Sequence, residues 1–513
     1  MPDVALDDAA LALRRRPVIL SVVLLAVFVV SMDNSILNVA LKTLAEAAPT
    51  GLGAGQGQLQ WAVDAYVLAY AGLLLGSGLL GDRLGHKKLL LGGLVGFGLF
   101  SALCAHAPSP DWLVACRAAM GASAACLMPA TLATVTHLYP GEGRARAIGL
   151  WSAATGAAIA AGPLVGGALL GRFWWGSVFL VNVPLIAVAL ALTAWLVPES
   201  RRSEPVRIDL PGLGLWIAGL SALVYGIIRA GDTGGWTHIA VFGPTVSGLA
   251  LLVAFAAWEL RCPQPSLDVS CFAKRPFSAA VGALCLLFFA LMGGTFVMTF
   301  YLQSIRGYDA FQAGLCVLPL AGALIAFAPR APKLVGRFGT RVVCTAGMAV
   351  AGAGFIALAT LGRATPLWEL ELALFVFGTG MAHVLPPATV AIVSSMAEQE
   401  AGAASAINNT FRQVGASLGV AVLGSLLAAL YHGRIDPGLQ ALPPALRSQA
   451  RSSITATLEV AQRADAHALV LPAENAFVHA MRITWLIGAL ALFAGAIVVA
   501  LLLQTGRAAA RTR

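Results

Sequence analysis

Charge is scarce in this chain. Only 11% of its 513 residues are Asp, Glu, Lys or Arg, against about 25% in soluble globular proteins. Paired cysteine motifs are missing as well. None of the eight cysteines forms a Cys-x-x-Cys pair, and most lie inside apolar runs. They read as small packing residues rather than metal ligands or disulfide partners. No Gly-x-x-x-x-Gly-Lys-Ser/Thr phosphate loop occurs, no polar stretch is long enough to hold an ATPase domain, and no Ser/His/Asp or metal cluster suggests catalysis. These gaps exclude a soluble enzyme, a disordered protein and a nucleic-acid binder. The net charge of +9 then needs no anionic partner, because excess Lys and Arg in a membrane protein marks its cytoplasmic loops.

What fills the chain is apolar: 58% of residues are hydrophobic and the mean hydropathy is +0.82. A bilayer-crossing helix needs about 20 mostly apolar residues. Fourteen such runs are expected, at 17–41, 59–80, 88–106, 111–138, 147–170, 174–197, 210–229, 239–259, 277–302, 310–329, 342–361, 367–396, 403–429 and 480–504. The first is too long for a cleaved signal peptide and is read as a span. With the N-terminus placed in the cytoplasm, 21 of the 33 basic residues fall in inside segments: Arg14, Arg15, Arg16, Arg83, Lys87, Lys88, Arg144, Arg146, Arg201, Arg202, Arg207, Arg261, Lys274, Arg275, Arg330, Lys333, Arg337, Arg341, Arg507, Arg511 and Arg513. The short outside loops hold five. The asymmetry predicts both termini in the cytoplasm and a multi-pass protein of the plasma membrane.

Two inside loops repeat. Gly81-Asp82-Arg83-Leu84-Gly85-His86-Lys87 follows span 2, and Val335-Gly336-Arg337-Phe338-Gly339-Thr340-Arg341 follows span 10. They lie eight spans apart, which two six-helix halves separated by two extra helices would produce. Parallel repeats of this kind are a known transporter plan. The expected organisation is a cytoplasmic N-terminus at 1–16, a six-helix bundle at 17–197, inserted helices 7 and 8 with linkers at 198–276, a second bundle at 277–504 and a cytoplasmic tail at 505–513. The second bundle carries an external segment at 430–479, where Ser452 to Ala468 reads as a short amphipathic helix.

Individual motifs narrow the class. Gly78-x-x-Gly81-Asp82-Arg83-x-Gly85-x-Lys87-Lys88 resembles the signature loop of the major facilitator superfamily. Gly156-x-x-x-x-x-Gly162-Pro163-x-x-Gly166-Gly167 is similar to the motif of that superfamily's antiporters. Met32-Asp33-Asn34-Ser35, Trp61-x-x-Asp64-x-Tyr66, Arg117-x-x-x-Gly121, Trp175-Gly176-Ser177-Val178-Phe179-Leu180-Val181-Asn182, Tyr301-Leu302-Gln303 and Asn408-Asn409-Thr410-Phe411-Arg412-Gln413 extend the likeness over roughly residues 17–430 and span 14. Together they resemble the fourteen-span drug:proton antiporter family, whose members include exporters of quaternary ammonium compounds and methyl viologen. The likeness implies an all-α major facilitator fold and a secondary transporter with no cofactor but the proton gradient. Departures stand at Lys42, where the family usually has Pro, at Met120, where Gln is usual, and at His86, where Arg is usual.

The residues that carry transport are sought among charges the membrane should not tolerate. Of 24 carboxylates, 22 lie in loops or near span ends. Asp33 and Asp64 are the exceptions. An Asp near a span centre costs about 2.5–3.5 kcal/mol to insert, so it is read as functional by default. Both fall in the outer half of the membrane at similar depth and are expected to face one cavity. A carboxyl taken out of water favours its protonated form, and once ionised it attracts a lipophilic cation. One carboxylate doing both would couple export to proton entry. Arg117, the opposite charge in span 4, is expected by resemblance to organise protonation near span 1. Asn38, Trp61, Tyr66, Phe296, Phe300, Tyr301, Asn409, Arg412 and Gln413 are candidates for lining the cavity. Asp82 is expected to bind the start of span 3 as part of a lock, and the glycines of span 5 to permit close, sliding contact. The leading expectation is a monomeric, proton-coupled exporter of lipophilic cations. An exporter of a self-made metabolite or antibiotic and an uptake symporter stay open.

Overall fold

The structure, a computed structural model, describes residues 2–139, 142–199, 209–233, 238–262, 265, 267, 269–395, 401–440, 442–451 and 453–503. Within its helices, the side chains at 2–15, at 401–406 and at several single positions, Gly78, Asp82 and Arg83 among them, lie outside the described set. So do those of Arg144, Arg146, Arg201, Arg202, Arg207, Arg507, Arg511 and Arg513.

A backbone in hydrocarbon must satisfy every N–H and C=O within its own segment, and long apolar runs therefore become helices. The order is α1 (Pro2–Ala45), α2 (Gln56–Leu84), α3 (His86–Ala105), α4 (Pro110–Leu138), α5 (Glu142–Leu170), α6 (Ser177–Leu180), α7 (Asn182–Leu196), α8 (Leu210–Thr233), α9 (Ile239–Glu259), α10 (Arg275–Phe300), α11 (Ala310–Cys316), α12 (Leu318–Phe327), α13 (Ala331–Phe338), α14 (Thr340–Thr360), α15 (Leu367–Ser394), α16 (Ala401–Leu439), α17 (Pro444–Arg451), α18 (Ile454–Arg463) and α19 (Val470–Leu502). No strand occurs among the described residues.

Twelve helical stretches among the described residues are long and apolar enough to cross a membrane. The expected spans at 59–80 and 147–170 fall on α2 and α5, which are outside that count; both contain side chains beyond the described set. Several ends differ from the sequence reading. α1 runs to Ala45, α16 to Leu439, and α19 begins at Val470. Lys42, Arg434 and Glu474 end the apolar runs, but a charge does not end a helix. The expected span at 310–329 lies within one crossing stretch, Ala310–Phe338, in which the helix is interrupted at Val317 between α11 and α12, with Pro319 in the first turn of α12.

The repeated loops adopt one geometry. Gly85 (φ 103°) and Gly339 (φ 84°) are each a one-residue joint between helices, α2 to α3 and α13 to α14. Each donates its N–H four residues back, to Gly81 O at 2.9 Å and Val335 O at 2.8 Å. A side chain disfavours that positive φ. A Cβ on Gly339 would meet nothing within 4 Å, whereas one on Gly85 would collide with the Glu199 carboxylate. Gly339→Ala is therefore expected to cost only the backbone strain, about 1–2 kcal/mol, and Gly85→Ala more. Thermal unfolding in detergent checks the order, and equal losses would contradict it.

α1 to α7 pack together as an N-terminal group, and α10 to α16 with α19 as a C-terminal group. α8 and α9 form a hairpin beside them, with α8 against both α2 and α16. The end of the bundle away from the chain termini is called distal here. It carries the 46–55 loop and the short helices α17 and α18. Ser453 caps α18 by accepting from Ala456 N at 3.1 Å, and the helix buries Ile454, Thr457, Val460 and Ala461. The expected amphipathic helix is thus present, but shorter.

Glu46, just past α1, faces this cap. Burial pushes its carboxyl above the ordinary 4.5, Lys42 pulls it back, and Glu459 of α18 raises it further. The folded state then holds this proton more tightly than the unfolded chain. Stability is expected to fall as pH rises from about 4.5 towards the raised value. Glu46→Gln should flatten that fall in melting temperatures measured between about pH 4 and pH 7; an unchanged slope would contradict it.

Candidate functional site

The site begins with the approach of α4 to α2. Gly121 has no side chain, and a Cβ there would strike the Tyr66 carbonyl. That close contact brings Arg117, one turn earlier on the same face of α4, across α2. Its Nε donates to Ala62 O at 3.1 Å, and its guanidinium lies 4.3 Å from the centre of the Tyr66 ring. Its Nη1 donates to Asp33 Oδ2 of α1 at 2.6 Å. Both partners are 0% exposed.

Asp33 is held from its other side as well. Asn182, at the start of α7, donates from Nδ2 to Asp33 Oδ1 at 2.8 Å and to Ser101 Oγ of α3 at 3.1 Å. Ser101 in turn donates to Phe179 O at 2.8 Å. Helices α4 and α7 thus hold the α1 carboxylate directly, and α3 holds Asn182. A buried ion pair survives desolvation only with such added hydrogen bonds. Sequence reasoning quoted Asn182 within a motif but gave it no role, and it missed Ser101; a lone Asn entering a strongly apolar run was the available signal. Asn182→Leu is expected to strip Asp33 of one bond and cost about 1–3 kcal/mol, read as a lower unfolding temperature. No change would place the carboxylate's second oxygen elsewhere.

Asp64 does not join this network. Ala62 and Tyr66, four residues apart, face Arg117; Asp64 sits two residues from each, about 200° round the helix. It points instead towards α16, where Ser417 stands beside it. Asp64 is 0% exposed, and the Ser417 hydroxyl is the polar group set against its carboxylate; among the described residues no cation pairs with it. Asp33 of α1 therefore meets one face of α2 through Arg117 while Asp64 points from another, and helix rotation keeps the two acids, expected to share one cavity, apart. Asp64 occupies the seam between the N-terminal and C-terminal groups.

That seam is polar further along. Tyr70 of α2 faces Arg412 and Gln413 of α16. Arg412 is half-buried, with its guanidinium 4.3 Å from the Phe288 ring centre. Among the described residues no carboxylate pairs with it. Asn409 and Gln413 are half-buried on the same stretch. The other candidate lining residues are packed. Asn38 is buried, Phe296 and Phe300 stack edge to face 5.4 Å apart, and the Tyr301 hydroxyl donates to Gly362 O at 2.8 Å. Tyr66 supports Arg117, and Trp61 contacts Tyr225 of α8.

The glycines of α5 work on two adjacent faces. Gly162 and Gly166 meet Ser35 and Ile36 of α1, within one turn of Asp33. Pro163 and Gly167 meet α11: a Cβ on Gly167 would strike the Phe311 backbone, and one on Gly314 would lie 2.7 Å from Pro163 O. A Cβ on Gly156 would meet nothing within 4 Å among the described residues. This α5–α11 contact closes the distal end between the two groups. Lys42 strengthens it by donating to Gln303 O at 3.2 Å, and Gln303 Nε2 donates back to Val39 O at 2.9 Å. At Met120 the departure from family pattern is filled by a sulfur contact with Cys104 at 3.5 Å, and Arg117 keeps its carboxylate. At the opposite end, the start of α3 is bonded by Glu199, with Lys87 N donating to Oε1 at 3.2 Å. Asp82, expected to bind at this position, has its side chain outside the described residues.

The geometry is thus a helical bundle in two groups with a buried Arg–Asp pair at its heart and a twinned loop in each group. The family model for the Major Facilitator Superfamily matches residues 23–420. The chain belongs to the major facilitator superfamily. Relatives within it include the multidrug resistance protein Stp of Mycobacterium tuberculosis, 34% identical over 82% of this chain and 77% of that protein. The methyl viologen resistance protein SmvA of Salmonella typhimurium is 34% identical over 82% of this chain and 85% of its own. Among solved structures, a POT peptide transporter shares the fold with a TM-score of 0.63 at 14% identity, covering 94% of this chain and 95% of that one. As a major facilitator protein with relatives in drug efflux, the chain is a multi-pass transporter rather than an enzyme.

Proposed function

We propose that this facilitator is a proton-coupled antiporter that exports lipophilic cations, such as quaternary ammonium compounds, cationic dyes and viologens, by alternating access. It works as a fourteen-span monomer of the plasma membrane, with two six-helix bundles, two inserted helices and cytoplasmic termini. The proton gradient is its energy source, worth about 2.3 kcal/mol per charge per 100 mV of membrane potential. The observation that carries the reading is Asp64: a fully buried carboxylate, with no counter-charge among the described residues, at the seam that must open during transport. Leaving an unpaired charge there is costly. A proton neutralises it, and so does a drug cation, but not both at once. That exclusion is what antiport requires. Asp33 is the second acidic centre, where a proton competes with Arg117. The drug-resistance names of the relatives support export as the direction, and methyl viologen is a dication of the expected kind.

Adding a quaternary ammonium dye to purified protein in weakly buffered detergent should release protons, read with a pH indicator. Asp64→Asn should bind the dye with less release. Dye binding with no proton release in the wild type would overturn the reading. Neutral and anionic compounds tested alongside separate a cation exporter from an exporter of a self-made metabolite.

A further inference from the structure

Away from the membrane-buried charges, a cleft of about 350 Å³ opens at the distal end. Gly55, Gln56, Gly57 and Gln58, at the start of α2, form one wall; His432 of α16 with Ser448 and Arg451 of α17 form the other. Two of these side chains are more than nine-tenths buried, each with an unsatisfied nitrogen. His432 is 7% exposed; the Arg451 backbone stands beside one ring nitrogen, and the other has no hydrogen-bond partner among the described residues. Gln56 is 7% exposed, and its Nε2 has none. Buried polar atoms are rarely left in that condition, and a cluster of them lining one cleft asks for a ligand.

The donors all point to the same chemistry. α2 has no side-chain N-cap and no acid in its first turn. The Gly55 N–H is taken by Gln58 Oε1 at 3.2 Å; the N–H groups of the first turn beyond it and the positive end of the dipole face the cleft, which is the general arrangement for holding an anion. Arg451 adds a guanidinium opposite. The two nearby carboxylates are already bonded: Asp436 takes Arg451 Nε at 2.9 Å, leaving the terminal nitrogens outside that bond, and Asp111 takes Gln58 Nε2 at 2.9 Å.

We propose that this cleft binds a phosphate-type oxyanion. The α2 N-terminus and Gln56 hold it from the N-terminal group, and His432 and Arg451 hold it from the C-terminal group. The ligand is either free inorganic phosphate or the phosphate of a lipid headgroup, since helix ends at a bundle face lie at headgroup level. An occupant bridging α2 and α16 prefers the closed distal end, because opening would separate its two sets of donors.

Native mass spectrometry of the full chain in detergent tests this, with inorganic phosphate in one arm and phosphatidic acid in the other. One bound phosphate or one bound lipid is expected. His432→Leu and Gln56→Glu should each weaken it by about tenfold or more, as loss of a hydrogen bond to a charged group does. Gln56→Glu keeps the size of the side chain while repelling an anion, so it reads the site even if His432→Leu folds poorly. Arg463→Gln, on the exposed face of α18, should leave binding unchanged. Binding confined to phosphate identifies the free ion, and binding confined to phosphatidic acid identifies the headgroup. No bound species in either arm, or equal binding in wild type and Gln56→Glu, would overturn the proposal.

Discussion

Arg117→Met is expected to destabilise the folded protein by about 3–5 kcal/mol, because it leaves the Asp33 carboxylate buried without its counter-charge. Asp33→Asn should cost a similar amount by stranding Arg117. The double variant should be more stable than the sum of the two losses implies, since it strands neither charge. Adjacent members of one network couple by about 0.5–3 kcal/mol in such cycles. The geometry demands this: a 2.6 Å contact between two side chains that are 0% exposed has no water to take over from a missing partner. Chemical unfolding of the four proteins in detergent measures the cycle. Simple additivity would mean that Arg117 is held by Tyr66 and Ala62 O, with Asp33 incidental. Transport should be lost in all three variants whatever their stability, which separates the pair's role in folding from its role in coupling.

Gly167→Leu should abolish transport with little effect on membrane insertion. A side chain at 167 enters the Phe311 backbone of α11, and overpacking of this kind has no flexible neighbour to displace. α5 and α11 must separate, so the distal closure cannot form. Spin labels on the distal ends of α5 and α11 should report a longer distance than in the wild type. Gly156→Leu is the contrast, because a Cβ on Gly156 would meet nothing within 4 Å among the described residues; it should retain most of its activity. Equal loss at both positions would mean that the motif acts through helix flexibility rather than through contact.

Hydropathy made the charged residues conspicuous and left their partners hidden. Asp33, Asp64 and Arg117 stood out because each interrupts an apolar run. Which acid Arg117 would meet depends on helix rotation, and a two-residue offset on α2 sends Asp64 away from Tyr66 and Ala62. Asn182, Ser101 and Ser417 are ordinary small polar residues in sequence, and only the convergence of α1, α3, α4, α7 and α16 gives them work. The twinned loops were legible as a repeat because a one-residue joint with positive φ requires Gly85 and Gly339. The helices run past the expected span ends at 41, 429 and 480, because hydropathy marks the edge of the membrane and not the end of hydrogen bonding. Aromatic residues misled in a different way: Tyr66, Phe296 and Phe300 are large and apolar enough for a drug pocket, but the same properties bury them in helix packing.

The central claim is that export of a cation is exchanged for protons through buried acids. Its most direct test is an imposed pH gradient across proteoliposomes loaded with a quaternary ammonium dye. The wild-type protein should drive the dye against its concentration gradient, with protons moving in the opposite sense. Asp64→Asn should still exchange dye down a gradient but lose its response to pH. Gradient-driven dye transport in Asp64→Asn at the wild-type rate would contradict the account.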